Sequence, residues 1–177
     1  MQREAIERIS ALKRALRARQ PTLGCWVNIA HPVIVEVLAT AGFQWLVIDL
    51  EHTTTGLREA AELIRVIEAE KMVPLVRLTY NDPNQIKRLM DAGAGGVVVP
   101  MVGSAAEAAQ AVSAVRYPPF GTRGIGLSRA QGYGTAFGEY LEHNNRDSIV
   151  IVQIEHINAI NGLEDILDVE GIDASFI

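Results

Sequence analysis

The segment Phe43-Gln-Trp-Leu-Val-Ile-Asp49-Leu-Glu51-His52 changes abruptly from apolar, β-favouring residues to two carboxylates and an imidazole. Such an apolar run is typical of a buried strand in a parallel sheet. Its polar ending predicts the carboxyl end of the strand, where parallel α/β proteins place their active sites. Side chains alternate along a strand, so Asp49 and Glu51 share one face, and His52 begins the following loop. The alternative is that both acids cap the next helix and that His52 is an ordinary loop residue.

Strands and helices alternate along the whole chain, which is the pattern of stacked βαβ units on a parallel sheet. The predicted strands cover residues 23–29, 45–49, 73–77, 96–100, 149–155 and 174–177. The predicted helices cover residues 4–18, 32–41, 57–70, 83–92, 105–115, 137–143 and 157–167, and a glycine-rich loop covers roughly 117–136. No linker or low-complexity tract interrupts this pattern, so residues 1–177 are predicted to form a single domain.

Several helix starts are marked by capping residues. Asp82 is predicted to cap the helix that begins at Pro83, and Ser104 is predicted to cap the helix over 105–115. One of the three threonines at positions 53–55 is predicted to cap the helix over 57–70.

The composition excludes several functional classes. The chain has 177 residues, 49% of them apolar, and 16 basic against 21 acidic residues give a net charge of −5. This balance argues against a general nucleic-acid-binding protein, and no apolar run is long enough to predict a membrane span. The N-terminal segment is charged and lacks the apolar core of a signal peptide. Cys25 is the only cysteine, so no internal disulfide is possible, and a cytoplasmic location is the default expectation.

Polar side chains also end two later strands. Arg77 ends the third strand, while Gln153 and Glu155 end the fifth and share a face with Ile151. Together with Asp49 and Glu51 they should converge on one rim of the sheet. Arginine suits a bidentate carboxylate, and glutamate oxygens suit a hard divalent cation. Each group taken alone could equally form a structural ion pair, but several polar strand ends in one chain favour a site.

Other chemically suggestive residues carry weaker signals. From the residues alone, Asp91 is a surface acid near the end of a helix, and His143 beside two asparagines is predicted to be solvated. No pair of histidines has the spacing of metal ligands. The loop over 118–126 follows a helix rather than a strand, so it is not a dinucleotide fingerprint. A lid, a subunit contact and a plain loop all remain open for it.

A set of motifs in order carries a family resemblance. The motifs are Trp45-Leu-Val-Ile-Asp49-Leu-Glu51-His52, Pro74-Leu-Val-Arg77, Asn81-Asp82-Pro83, Val99-Pro100-Met101-Val102, Arg116-Tyr-Pro-Pro-Phe-Gly-Thr-Arg123-Gly124 and Gln153-Ile-Glu155. They cover nearly the whole chain, and their combination resembles the HpcH/HpaI family of metal-dependent pyruvate aldolases. The resemblance implies an α/β fold of the TIM (β/α)₈ barrel family, with about six of the eight βα units in this chain. It also implies a homo-oligomer, a hexamer in full-length members, and aromatic compound catabolism.

The resemblance further implies a retro-aldol cleavage that yields pyruvate and an aldehyde. His52 would be the acid/base, Asp91 would pair with it, and Arg77 would bind the pyruvyl oxygens of a small 2-oxo acid substrate. Gln153 would contact the substrate or a metal-bound water, and Glu155 would bind a divalent ion such as Mg²⁺, Mn²⁺ or Co²⁺. Asp49 and Glu51 are expected to support these groups. Such an ion acts as a Lewis acid, and an imidazole can move protons near neutral pH.

The chain departs from the family pattern at its C-terminus. The second metal carboxylate of the family lies in a Gly-Pro-x-Asp-Leu-Ser segment, and the sequence stops at Ile177, just before that segment would begin. Asp173 precedes the last strand and is not expected to replace this ligand. We therefore expect a C-terminally incomplete aldolase barrel of doubtful activity. The alternatives are a malyl- or citryl-type thioester lyase, or a non-catalytic remnant that acts only in subunit association.

Overall fold

Six parallel strands form one sheet, in which each strand pairs with the strands before and after it in the chain. The computed structural model describes residues 2–177, apart from the side chain of Gln2. The strands are β1 (Gly24–Val27), β2 (Trp45–Asp49), β3 (Val73–Arg77), β4 (Gly96–Val99), β5 (Ile149–Gln153) and β6 (Ala174–Phe176). The stacked βαβ arrangement predicted from the alternating pattern is confirmed.

The helices are α1 (Gln2–Arg17), α2 (Pro32–Ala39), α3 (Leu57–Ala69), α4 (Pro83–Ala92), α5 (Ala105–Val115), α6 (Phe137–Asp147), α7 (Ile157–Asn161) and α8 (Leu163–Leu167). The helix predicted over 157–167 is therefore two short helices that meet at Gly162. The glycine-rich loop contains a 3₁₀ segment at Arg129–Gly134. Among the residues that the structure describes, no helix is long and apolar enough to cross a membrane.

The caps explain where the helices begin. The Asp82 side chain accepts hydrogen bonds from the backbone of Asn84 and Gln85, and Ser104 caps α5, so both predictions are confirmed. The threonine cap predicted for α3 is wrong. Gly56 occupies the N-cap position, and its backbone N–H donates to the Glu59 side chain at 3.1 Å.

His143 was predicted to be solvated, and this prediction is wrong. Helix α6 continues beyond the predicted end to Asp147. His143 lies on the buried face of this helix, with 4% of its surface exposed. The ring nitrogen Nδ1 lies 3.1 Å from Asp147 Oδ2, one helical turn later. Burial lowers the pKa of His143, although Asp147 acts in the opposite direction.

The two faces of the sheet pack into separate apolar layers. The outer layer lies between the strands and helices and includes Ile48, Val76 and Val97. The inner layer includes Val47, Leu75 and Val98, and Ile9 and Leu12 of α1 pack against it. Helix α1 therefore packs against the apolar part of the inner face.

Contacts across the inner face show that the sheet curls. The ring of Trp26 on β1 lies 5.4 Å from the ring of Phe176 on β6, centroid to centroid. Six flat strands would separate these two elements by roughly 24 Å, since adjacent strands lie about 4.8 Å apart. The fold is thus a curled half-barrel, and the carboxyl ends of all six strands line one rim.

Candidate active site at the carboxyl rim

Arg77 lies at the centre of the rim and is held by an adjacent strand. In the β2–β3 pairing Arg77 stands opposite Asp49. Its Nε and Nη2 atoms donate to the two Asp49 carboxylate oxygens at 2.9 and 2.8 Å. This hydrogen bonding raises the pKa of Arg77 despite its partial burial, so the guanidinium stays charged. The expected convergence of β2 and β3 side chains is confirmed for this pair.

Asp49 is fully buried and organises the loop that follows β2. Besides Arg77, its Oδ1 accepts from the backbone N–H groups of Glu51 at 3.0 Å and His52 at 3.3 Å. Burial alone would raise the pKa of Asp49, but the hydrogen bonds from Arg77, His52 and Glu51 lower it below its ordinary value. A buried carboxylate with this many donors remains ionised.

Glu51 and His52 lie next to this pair. Glu51 Oε2 is 3.3 Å from Arg77 Nη1 and 3.7 Å from His52 Nε2. The His52 side chain is 68% exposed, so its imidazole can reach a molecule bound above the rim. Among the described residues, no hydrogen-bond partner of good geometry satisfies the buried Glu51 Oε2. Because Gly56 is the N-cap of α3, neither Asp49 nor Glu51 caps this helix.

The aromatic side chain of Trp26 covers one face of Arg77, a contact that the sequence patterns did not predict. The guanidinium carbon lies 4.5 Å from the centroid of the indole, a cation–π geometry. Trp26 is half-buried on β1, two strands away from β3. Sequence periodicity does not reveal this contact, because it joins side chains on strands that are two apart in the sheet.

Gln153 is the last residue of β5 and Glu155 follows it, and both side chains have oxygen atoms at the same rim. Glu155 is exposed, and its Oε2 accepts a hydrogen bond from the backbone N–H of Met101 at 3.0 Å. Gln153 is only 2% exposed, and in the described part of the chain its Oε1 has no hydrogen-bond partner. A buried amide oxygen without a partner is costly and indicates a missing donor or cation.

The chemistry of these oxygens fits a hard divalent cation. Glu155 would supply the charged ligand and the Gln153 amide a neutral oxygen. Within residues 2–177, however, no group of three or more His, Cys, Asp or Glu side chains could hold a metal ion. Asp173 does not add to this set, because it binds Lys13 and Arg17 of α1 before β6 begins. The oxygen ligands are therefore of a suitable type, but the described residues do not supply a complete set of ligands.

Asp91 is not brought to His52 within the chain. It lies in the last turn of α4, and α4 runs back from the rim toward the amino end of β4. Its carboxylate instead forms an ion pair with the buried Arg123 of the glycine-rich loop. The pairing of Asp91 with His52 that the family resemblance implies is not formed within this single copy of the chain, and it stays a prediction.

Arg123 joins the glycine-rich loop to α4 and α6. Its guanidinium lies 4.6 Å from the ring of Tyr117 and 5.7 Å from that of Tyr140, and it donates to Asn144 at 2.8 Å. Burial raises the pKa of Tyr117 to about 12. Arg123 therefore anchors this part of the loop onto the helices.

A separate cavity of about 480 Å³ lies at the amino end of the sheet, between α1, α6 and the 3₁₀ segment. Arg129 lines it and forms an ion pair with Glu68 at 2.7 Å. None of the rim residues borders this cavity. The candidate site at the rim is thus separate from this cavity.

Comparison with known proteins finds relatives over nearly the whole chain. Residues 22–177 match the family described as HpcH/HpaI aldolase/citrate lyase. The chain is 44% identical over 170 residues to the 4-hydroxy-2-oxo-heptane-1,7-dioate aldolase of Salmonella dublin. That alignment covers 95% of this chain and 64% of the relative, so the chain spans less than two thirds of the relative's length.

Two solved structures share the fold. A HpcH/HpaI aldolase/citrate lyase family protein from Burkholderia cenocepacia superposes with a TM-score of 0.89 and 34% identity, over 94% of this chain and 68% of that one. The citrate synthase SbnG superposes with a TM-score of 0.82 and 31% identity, over 94% and 64% of the two chains.

Proposed function

Because the chain belongs to the HpcH/HpaI aldolase/citrate lyase family, we propose that the complete protein is a metal-dependent pyruvate aldolase. It would cleave a 4-hydroxy-2-oxo acid to pyruvate and an aldehyde. The observation that carries this proposal is the orientation of Arg77 by Asp49 and Glu51, next to His52, at the carboxyl rim. Relatives named as aldolases support the reaction class.

Arg77 has the donors that a 2-oxo acid needs. A guanidinium carries five N–H groups, and Asp49 takes two of them. Glu51 lies near a third, at Nη1. The remaining N–H groups can bind the carboxylate and keto oxygens of the pyruvyl unit. The fixed positive charge would then stabilise negative charge that develops on these oxygens as the carbon–carbon bond breaks.

His52 would move the proton. Cleavage breaks the bond between C3 and C4, so the 4-hydroxyl group must lose its proton as the aldehyde forms. The electron pair of the broken bond stays with the pyruvyl unit, whose C3 then takes up a proton to become the methyl group. The exposed imidazole, whose Nε2 lies 3.7 Å from the Glu51 carboxylate beside Arg77, is the proton-transferring group that we assign on this rim.

Glu155 would be the carboxylate ligand of the divalent ion, and Gln153 would direct its buried Oε1 toward the same region. When bound, Mg²⁺, Mn²⁺ or Co²⁺ would polarise the ketone and stabilise the charge formed on cleavage. The second carboxylate ligand is expected outside this chain. We also propose that the half-barrel is part of a (β/α)₈ barrel and that the complete protein forms a homo-oligomer, a hexamer by family resemblance. The cytoplasmic location stays a prediction.

A citrate-type reaction is the second candidate. The structure of citrate synthase SbnG has this fold, which indicates that the fold also supports carbon–carbon chemistry with citrate. A malyl- or citryl-type thioester lyase would share a carboxylate-binding arginine at the rim. The two reactions differ in substrate as well as product, so parallel assays with a 4-hydroxy-2-oxo acid and with a malyl- or citryl-type thioester separate them.

The test is pyruvate release by the full-length protein from a 4-hydroxy-2-oxo acid, with and without each divalent ion. We expect metal-dependent release, and a loss of about 10²–10³-fold in rate for Arg77→Lys, because lysine keeps the charge but not the fixed fork. Arg58→Lys is the matched control, since Arg58 lies exposed on α3. Cleavage of a malyl- or citryl-type thioester, without pyruvate release from the 4-hydroxy-2-oxo acid, would favour the second candidate. Full activity of Arg77→Lys would place the site elsewhere.

A further inference from the structure

Trp26 restrains Arg77 in the one direction that Asp49 leaves open. The two hydrogen bonds that Arg77 donates to Asp49 lie along one edge of the guanidinium. They fix that edge, but the plane can still tilt about it. The indole of Trp26 lies against the face of the guanidinium, with 4.5 Å between the Arg77 carbon Cζ and the ring centroid. Edge and face contacts together define the full orientation of the group.

Trp26 is itself held in place by β6, the strand at the other edge of the curled sheet. Its ring contacts Phe176 of β6, with 5.4 Å between centroids and 48° between planes. The stack therefore runs from β3 through β1 to β6, and it separates one face of Arg77 from water. Only 11% of the Arg77 side chain is exposed. Cation–π contacts strengthen as water is excluded.

We propose that Trp26 is a positioning residue that holds Arg77 flat for a planar 2-oxo carboxylate. This inference rests on the proposed function, because it deepens the role given to Arg77. The free edge of the guanidinium then points in a fixed direction and binds both oxygens of the oxo acid at once. Trp26 itself forms no bond with the reacting atoms, so its effect is on substrate affinity more than on turnover.

The first measurement asks whether Trp26 covers Arg77, without reference to activity. Phenylglyoxal modifies accessible guanidinium groups, and peptide mass spectrometry gives the rate at Arg77 in the full-length protein. We expect Trp26→Leu, which keeps apolar volume without an aromatic face, to be modified several-fold faster. In Trp26→Phe the modification rate at Arg77 should stay close to that of the protein without a substitution. Trp45→Phe is the control, because that indole lies at the amino end of β2, where it donates to Thr22.

The second measurement asks whether the cover matters for binding. Calorimetric titration with pyruvate, in the presence of Mn²⁺, should show affinity about tenfold weaker for Trp26→Leu. Trp26→Phe should recover most of the loss. In the cleavage assay, the Leu variant should raise KM while kcat changes little. If Trp26→Leu fails to fold, Trp26→Met provides the same comparison, since it also lacks the aromatic face.

The outcomes separate this inference from the proposed function. Equal affinity of Trp26→Leu and the unmodified protein for pyruvate would overturn the positioning role, as would a Phe variant that behaves like Leu. If the unmodified protein binds no pyruvate but Trp26→Leu still exposes Arg77 to phenylglyoxal, then the contact exists while the proposed function and the substrate role both fail. If the protein binds pyruvate but Trp26→Leu leaves the modification rate at Arg77 unchanged, the proposed function is retained. The inference that Trp26 covers Arg77 is then rejected.

Discussion

At the scale of single residues, Asp49 determines how the candidate site is built. It is fully buried, and a buried charge is tolerated only when it is paired and hydrogen-bonded. Two donors come from Arg77 on the neighbouring strand, and two come from the loop that carries Glu51 and His52. One carboxylate thereby fixes both the proposed substrate-binding group and the proposed proton carrier. Its requirement for ionic partners is the physical reason why these groups meet.

His143 predicts how stability depends on pH. Burial lowers its pKa in the folded protein below the ordinary value of 6.5, so the unfolded chain binds the proton more readily. Between the lowered pKa and 6.5, the unfolded state holds more protons than the folded state, and stability therefore rises with pH. We expect the free energy of unfolding to fall as the pH drops below 6.5.

Denaturant unfolding of the protein and of His143→Gln over a pH series tests this expectation. The variant lacks the titrating group, so its stability should depend less on pH in that window. Parallel curves for the two proteins would show that His143 does not carry the effect. Asp147 adds a second pH dependence of stability, at lower pH. Burial raises its pKa, but hydrogen bonds from Arg146, Ser10 and His143 lower it below the ordinary value, so this contribution is lost as the pH falls.

At the scale of elements, strand ends and the loops that follow them supply the chemistry. Glu155 follows β5, and its carboxylate accepts from the backbone of Met101, which follows β4. Met101 has a φ of 54°, a conformation that non-glycine residues adopt only where the surrounding structure holds them. The β4 loop thus presents an N–H group to Glu155 and orients its free oxygen.

The proposed metal role of Glu155 predicts a loss of affinity in Glu155→Gln. A neutral amide is a weaker ligand for a hard cation. Calorimetric titration of the full-length protein with Mn²⁺ should show a decrease of more than about tenfold, the lower bound for altering even an outer partner of a metal site. Glu164→Gln on the exposed surface of α8 is the control. Equal affinities for Glu155→Gln and the unmodified protein would remove Glu155 from the metal site.

Asp91 joins two elements, and its contact predicts an effect on stability. Asp91→Asn would leave the buried Arg123 without its ionic partner. We expect a loss of about 1.5–3 kcal/mol in the free energy of unfolding, the range for hydrogen bonds to charged groups. Asp165→Asn, on the exposed surface of α8, should have little effect. Unchanged stability together with lost cleavage activity would instead support the catalytic role implied by the family resemblance.

At the scale of the whole molecule, the sequence predicted the strands and helix starts that local and periodic patterns determine. Apolar runs that end in polar residues located β2 and β3 to the residue, and Asp82 followed by Pro83 located the start of α4. Parity placed Asp49 and Arg77 on one face. Contacts between distant segments were not accessible in this way. Trp26 meets Arg77 only because the sheet curls, and Arg123 meets Asp91 only because a loop folds back over α4.

The open ends of the curled sheet lead to the last prediction. In the described residues β1 pairs only with β2 and β6 only with β5, so each presents an unpaired edge. Apolar side chains are exposed beside the β1 edge, with Val33 at 52% and Val37 at 56% on α2. Unpaired edges act as templates for association, and two further βα units would cover both in a closed barrel. We therefore expect the polypeptide 1–177, produced alone, to self-associate, to unfold without a sharp transition and to have little or no aldolase activity.

Light scattering after size-exclusion chromatography, thermal unfolding and the pyruvate assay on this polypeptide and the full-length protein test the expectation. Ser175→Lys in the short polypeptide is a sharper probe, because Ser175 is exposed on β6 and a charged residue on an edge strand opposes pairing. It should reduce association without restoring activity. A monodisperse, sharply melting and active polypeptide 1–177 would contradict the expected effect of the open edges, and it would also remove the need for a metal carboxylate outside this chain.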